Sequence, residues 1–165
     1  MSIVRKLAFT TAIAAVMLGA AVPAAVADNM KIALLVKNLG NGFFDAANKG
    51  AEQAAKDLGD VDIIYTGPTQ PTPEGQIDII NQLVSQKVNA IAVSANDADA
   101  LVPALQRAMD AGITVISFDS GVSKDGRQMN LLASATDLIG DQNLKMADDL
   151  LNGQKGDVAI LSATS

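Results

Sequence analysis

The chain has 165 residues, of which 18 are Asp or Glu and 12 are Lys or Arg, so its formal net charge is −6. This balance disfavours nucleic acid and anionic membrane surfaces as partners, because phosphate contacts need clustered Lys and Arg. The sequence has no Cys and no His, which excludes a Cys nucleophile, a Ser-His triad and the usual zinc sites and disfavours most enzyme classes.

Residues 1–27 predict a cleaved secretory signal peptide. Arg5 and Lys6 form a short basic region, and an apolar segment follows over residues 7–21. The sequence then reaches Ala-Val-Ala, the small-x-small pattern of a cleavage site, so we expect cleavage before Asp28. The apolar segment is shorter than the ~20 residues that span a bilayer. The leader is typical of a bacterial protein that is exported to the periplasm.

Five short apolar segments predict β-strands. They are near-continuous apolar runs rather than clean alternations, as expected for strands that are buried on both faces of a parallel sheet. The predicted strands are residues 32–36, 61–65, 90–93, 113–118 and 129–132.

Between these strands lie four segments with helical periodicity and recognisable ends. Gly59 ends the first helix, while Thr72 caps the second and places Pro73 at its first position. Pro103 either begins the regular part of the third helix or kinks it, and the fourth helix ends at Gly153. The core-facing residues predicted for the fourth helix are Leu138, Ile139, Leu144, Met146, Leu150 and Leu151. This alternation predicts an α/β fold built on a doubly wound parallel sheet.

Residues 157–162 predict one more strand at the end of the sequence. Three residues follow it, Ala163, Thr164 and Ser165, which resemble the exit from a strand into a loop. The last strand of a sheet can lie at a chain end, so that alternative stays open. The favoured interpretation is a truncated chain.

Ligands of open parallel sheets bind outside the carboxyl ends of the strands, so the segments after each strand are the candidates for a site. The loop after the first strand contains Gly40 and Gly42, the first two glycines of a dinucleotide-binding GxGxxG motif. The third position of that motif is Asp45, which would repel a pyrophosphate, and Phe43 and Phe44 would crowd its approach. The loop therefore argues against a nucleotide site.

The same loop and the end of the fourth strand carry groups that suit a sugar. Phe43 and Phe44 offer aromatic faces to the C–H groups of a sugar ring, Asp119 can accept two hydroxyl hydrogens, and Lys37 and Asn41 can donate. Each has a simpler alternative: Phe44 lies on the inward helical face, Asp119 could cap a turn, and Lys37 could be solvated. Their convergence on one edge of the sheet is what favours a site.

The sequence resembles the type I periplasmic substrate-binding proteins of ABC sugar importers. The resemblance covers residues 28–165 and is carried by the N-G-F-F loop, A-I-A-V-S-A, V-I-S-F-D-S-G and G-D-V-A-I-L. Within that family it is most similar to the rhamnose-binding and autoinducer-2-binding branch, through Lys37 in K-x-x-x-x-G-F-F, T-G-P-T and the Gly75-Gln76 pair. Ribose binders place Arg after the acid, where this chain has Ser120, which argues against a ribose-like pentose.

The resemblance implies residues 28–155 as an N-terminal α/β lobe and 156–165 as the start of a truncated second lobe. It also implies a ligand set of Lys37, Asn41, Phe43, Phe44 and Asp119. The implied function is to bind a monosaccharide, with a rhamnose-like deoxysugar favoured, and to deliver it to an ABC permease in the inner membrane. It implies no cofactor, metal or nucleic acid, and a monomer when full length.

Three other functions are alternatives to sugar import. An autoinducer-2 receptor would use the same fold. A repressor of the lactose-repressor type would need a helix-turn-helix where the leader stands. A sugar-processing enzyme could use acids at strand ends, but Asp119 and Asp97 have no evident catalytic partners in the sequence.

Overall fold

A computed structural model describes residues 28–133 and 135–160, and the predicted signal peptide lies outside them. In that part of the chain, strands and helices alternate in the predicted order. The elements are β1 (Met30–Leu35), α1 (Gly42–Leu58), β2 (Val61–Thr66), α2 (Pro73–Ser85), β3 (Ala90–Val93), α3 (Val102–Asp110), β4 (Thr114–Phe118), a 3-10 helix (Lys124–Gly126), β5 (Met129–Leu131) and α4 (Thr136–Leu151).

The five strands form one parallel sheet in the order β2-β1-β3-β4-β5. The chain therefore turns one way from β1 to β2 and the other way from β3 onward, which makes the boundary between β1 and β3 the topological switch point. Helices cover both faces of the sheet. The predicted α/β, doubly wound parallel fold is confirmed, with strand ends shifted by one or two residues.

Two apolar clusters hold the helices against opposite faces of the sheet. The larger contains alternate residues of β1, β3 and β4 together with buried residues of α2 and α3, such as Ile80 and Leu105. The smaller contains the intervening strand residues and Phe44 of α1. Burial on both faces explains why the strand segments are apolar throughout rather than alternating.

The predicted ends of α1 and α2 are confirmed, whereas the left-handed residue that ends α4 is Asn152 (φ +49°), one position before the predicted one. Gly59 adopts a φ of +84°, the left-handed conformation that ends α1. The Thr72 side chain accepts a hydrogen bond from the backbone N–H of Gly75 at 3.2 Å, which caps α2. Pro103 lies in the first turn of α3, so it begins the helix and does not kink it.

The prediction that α4 turns an apolar face to the core is wrong for the described structure. Leu144 is 69% exposed and Leu150 is 84% exposed, and no residue of α4 is buried. The pattern gives the helix its apolar side, but burial also requires a facing element, and the described residues provide none that covers this side. Among the helices of residues 28–133 and 135–160, none has the length and hydropathy of a membrane-spanning segment.

The predicted strand at 157–162 is also not found over residues 157–160, the part of it that the structure describes. Residues 157–160 have no regular secondary structure and are exposed, and residues 161–162 lie outside the described part. A strand is defined by hydrogen bonds to a neighbouring strand, and residues 157–160 pair with none of the strands in the described part of the chain. The proposed boundary between two lobes at residue 155 stays a prediction.

Candidate ligand-binding site

A cavity of about 380 Å³ opens at the carboxyl edge of the sheet. Its lining residues come from the loops that follow β1, β2, β3 and β4 and from the start of α1. They are Lys37, Asn38, Asn41, Phe43, Phe44, Pro71, Asn96 and Asp119. All five residues predicted from the sequence thus lie around one cavity, whose volume is within the range of small-molecule sites. Their contact with a ligand stays a prediction.

The two aromatic residues of the loop have different roles in the structure. Phe43 is 59% exposed and Phe44 is 3% exposed, and their rings meet edge to face with centroids 5.2 Å apart. Phe44 also meets Phe118 edge to face at 6.4 Å. Phe44 is therefore a core residue that also lines the cavity, whereas Phe43 presents its ring to solvent as a wall.

Asn41 fixes this loop by capping α1. Its Oδ1 accepts a hydrogen bond from the backbone N–H of Phe43 at 3.0 Å, as an N-cap side chain does. Because the cap uses the oxygen, the NH2 group is the part of Asn41 that can donate to a ligand. The cap also fixes the backbone from which the Phe43 ring projects.

Asp119 follows β4 and has a φ of +57°, in the left-handed region. The hydroxyl of Ser94, which is fully buried, donates to Asp119 Oδ2 at 2.8 Å. Among the hydrogen bonds of the described residues, the partner of this carboxylate is that hydroxyl and not a backbone N–H. The turn-cap alternative therefore finds no support, and a carboxylate held by one hydroxyl retains further acceptor positions.

Asn96, in the loop after β3, is a lining residue that the sequence analysis did not select. Its backbone N–H donates to Gln76 Oε1 at 2.8 Å. Its Nδ2 donates to the carbonyl oxygen of Lys37 at 2.9 Å and to that of Thr72 at 3.3 Å. Its place at a strand end was the available signal, but an Asn in a loop is too common to stand out without these contacts.

Tyr65 and Asp97, the two residues with shifted pKa values, do not line the cavity. Burial, and then the hydrogen bond and charge of Asp45, raise the pKa of Tyr65 to about 12, with Tyr65 Oη donating to Asp45 Oδ1 at 2.9 Å. Backbone N–H groups of Ala100 and Asp99 lower the pKa of Asp97. Asp97 is thus occupied in capping a turn. No group of three or more potential metal ligands exists among residues 28–133 and 135–160.

A model of the periplasmic binding protein domain matches residues 32–165, which is most of the sequence. The chain belongs to this family. The ribose import binding protein RbsB of Escherichia coli is 30% identical over 155 residues, 94% of this chain and 49% of that protein. The D-ribose/D-allose-binding protein of Pseudomonas aeruginosa is 34% identical over 102 residues, 61% of this chain and 32% of that protein.

Solved structures show the same fold as residues 28–133 and 135–160. LsrB from Clostridium saccharobutylicum in complex with AI-2 matches with a TM-score of 0.71 and 32% identity, over 77% of this chain and 39% of that one. A solute-binding protein from Clostridium phytofermentas with bound L-rhamnose matches with a TM-score of 0.72 and 33% identity, over 76% and 39%. The resemblance to type I periplasmic sugar-binding proteins is confirmed. The chain spans between about a third and a half of the length of these relatives.

Proposed function

We propose that this chain provides one wall of a cleft that binds a monosaccharide in the periplasm, for delivery to an ABC permease. The observation that carries the proposal is the placement of an exposed aromatic ring, Phe43, and a held carboxylate, Asp119, around one cavity. A sugar has apolar C–H faces and a rim of hydroxyls, and these two groups match both features. The relatives support the same class of ligand.

The polar lining suits a neutral polyol. Asp119 can accept from two hydroxyls, and the Asn41 and Lys37 side chains can donate to hydroxyl or ring oxygens. Binding would shift an equilibrium between open and closed forms that the permease distinguishes. No covalent step is involved.

We propose a rhamnose-like deoxysugar as the ligand. A methyl group in place of a hydroxyl favours an apolar wall, which Phe43 and Pro71 provide at this cavity. The similarity to a rhamnose-bound protein supports this choice. The second candidate is autoinducer-2, which the similarity to LsrB supports and for which Lys37 would be the basic contact.

Titration of the ¹⁵N-labelled chain with L-rhamnose, D-ribose and autoinducer-2, monitored by amide chemical shifts, tests this proposal. We expect saturable shifts at residues 37–44, 94–97 and 118–121, with L-rhamnose giving the lowest Kd. Absence of saturable shifts with every ligand would refute the proposal. The spectrum of the sugar recorded in the same tube gives a second answer, because conversion of the sugar would show an enzyme.

A further inference from the structure

Gln76, on the inward side of α2, is a fully buried polar residue next to the cleft. Its Nε2 donates to the carbonyl oxygens of Val36 at 3.1 Å and Ser94 at 2.8 Å. Its Oε1 accepts from the backbone N–H of Asn96 at 2.8 Å. Both of its N–H donors and its oxygen are therefore paired with backbone groups, so the side chain is held in one orientation.

These backbone groups lie where β1 and β3 separate. The last paired residues of the two strands are Leu35 and Val93, and one further bond joins the N–H of Ser94 to the carbonyl of Leu35 at 3.0 Å. Beyond that point the carbonyls of Val36 and Ser94 both accept from the single amide of Gln76. The side chain thus replaces the missing ladder bonds at the switch point, where an open sheet forms its crevice.

Each backbone group that is hydrogen-bonded to Gln76 belongs to a residue that lines the cavity, precedes a lining residue in the chain or is hydrogen-bonded to one. Val36 precedes Lys37, and Asn96 both lines the cavity and donates to the carbonyl of Lys37 at 2.9 Å. Ser94 carries the hydroxyl that donates to Asp119. The buried amide of Gln76 is therefore connected through Asn96 to Lys37, which can donate to a ligand, and through Ser94 to Asp119, which can accept from one.

We propose that Gln76 is a positioning residue that sets the separation of the Lys37 and Asp119 sides of the sugar cleft. This inference rests on the proposed function for its consequence in binding. An apolar replacement leaves the carbonyls of Val36 and Ser94 and the N–H of Asn96 without their partner, which costs stability whether or not the amide also serves the site; an amide that served the core alone would have no effect on the affinity of the folded protein for a ligand. A positioning amide makes the affinity depend on its two donated hydrogen bonds.

The variant Gln76→Glu separates these roles because it keeps the shape and the acceptor but loses both donors. When ionised, at about pH 9 for a buried carboxyl group, its carboxylate would face two carbonyl oxygens, and we expect a loss of L-rhamnose affinity of roughly tenfold or more. Burial raises the pKa of a carboxyl group, so lowering the pH to about 5 should protonate it and restore one donated bond. We then expect the affinity to return to within about threefold of wild type. Gln82→Glu, at an exposed position of the same helix, is the matched control and should bind as wild type at both pH values.

A second variant, Gln76→Met, gives a readout that needs no sugar. We expect its amide shifts to differ from wild type at residues 36–38, 94–96 and 119–120, and those of Gln82→Met to differ only within α2. If the wild-type chain bound no sugar but these shifts appeared, the proposed function would fail while the positioning role stood. Unchanged shifts at residues 119–120, which Gln76 reaches through Ser94, or wild-type affinity in folded Gln76→Glu at about pH 9, would overturn the positioning role.

Discussion

The variant Asp119→Asn tests the assignment of the cleft most directly. Asp119 has a left-handed φ of +57°, a conformation that Asn adopts more readily than most residues, so the backbone should tolerate the change. The Ser94 hydroxyl, which donates to Oδ2 at 2.8 Å, can also donate to an amide oxygen, in a weaker bond without charge assistance. The folded state should therefore keep its stability within about 1 kcal/mol, the difference between a charged and a neutral hydrogen bond.

Ligand affinity should respond differently. Hydrogen bonds to a charged group contribute ~1.5–3 kcal/mol each, and an amide that replaces a carboxylate accepting two hydroxyls retains only part of that. We expect the binding free energy to weaken by about 2–4 kcal/mol, which is roughly a 30-fold to nearly 1000-fold rise in Kd.

The measurements are a calorimetric or NMR titration with sugar and a thermal melt of the ligand-free variant. Asp97→Asn is the matched control, because Asp97 is an exposed acid at the end of the neighbouring strand that caps backbone N–H groups and does not line the cavity. The control should lose some stability and keep its affinity. A Kd for Asp119→Asn within threefold of wild type would refute the reasoning, as would a large loss of stability.

Three further predictions follow from the packing. Phe43→Ala should weaken sugar binding by about 1.5–3 kcal/mol, the contribution of burying such a ring, and leave the melting temperature unchanged. Phe44→Ala should lower the free energy of unfolding by ~3–5 kcal/mol. Equal effects of the two variants on the melting temperature would contradict the assignment of Phe43 to the cavity wall and Phe44 to the core. Because the pKa of Tyr65 is raised to about 12 from its usual value of 10.0, stability should be full below about pH 10 and decline as the pH rises to about 12, and denaturant titrations should show a shallower decline in Tyr65→Phe. A Cβ at Gly67 would lie 2.8 Å from Val36 Cγ2 and 2.9 Å from its carbonyl oxygen, so Gly67→Ala should cost about 1–3 kcal/mol of stability. Gly50 lies within α1 with open space around it, so Gly50→Ala should gain about 0.5–1 kcal/mol. A thermal melt in which Gly67→Ala matched wild type would count against the close contact between Gly67 and Val36.

Features that depend on neighbouring residues could be read from the sequence. The apolar segments placed all five strands, and Gly59 and Thr72 marked helix ends that the structure has at the same residues. These signals are local, because a left-handed cap or a side-chain cap is decided within one turn of backbone. The location of the candidate site could also be predicted from the sequence, because parallel strands bring their carboxyl ends to one edge of the sheet.

Tertiary structure decided how those residues are held. Gln76 reaches groups 40 and 18 positions away in the sequence, and Ser94 reaches Asp119 across 25. No periodicity signals such contacts, since they depend on the order in which the strands are arranged. The same reason explains the wrong prediction for α4: its sequence gives the helix an apolar side, but whether that side is buried depends on which other element packs against it. Local physics determines where chain elements begin and end, while the strand order determines which buried polar groups meet.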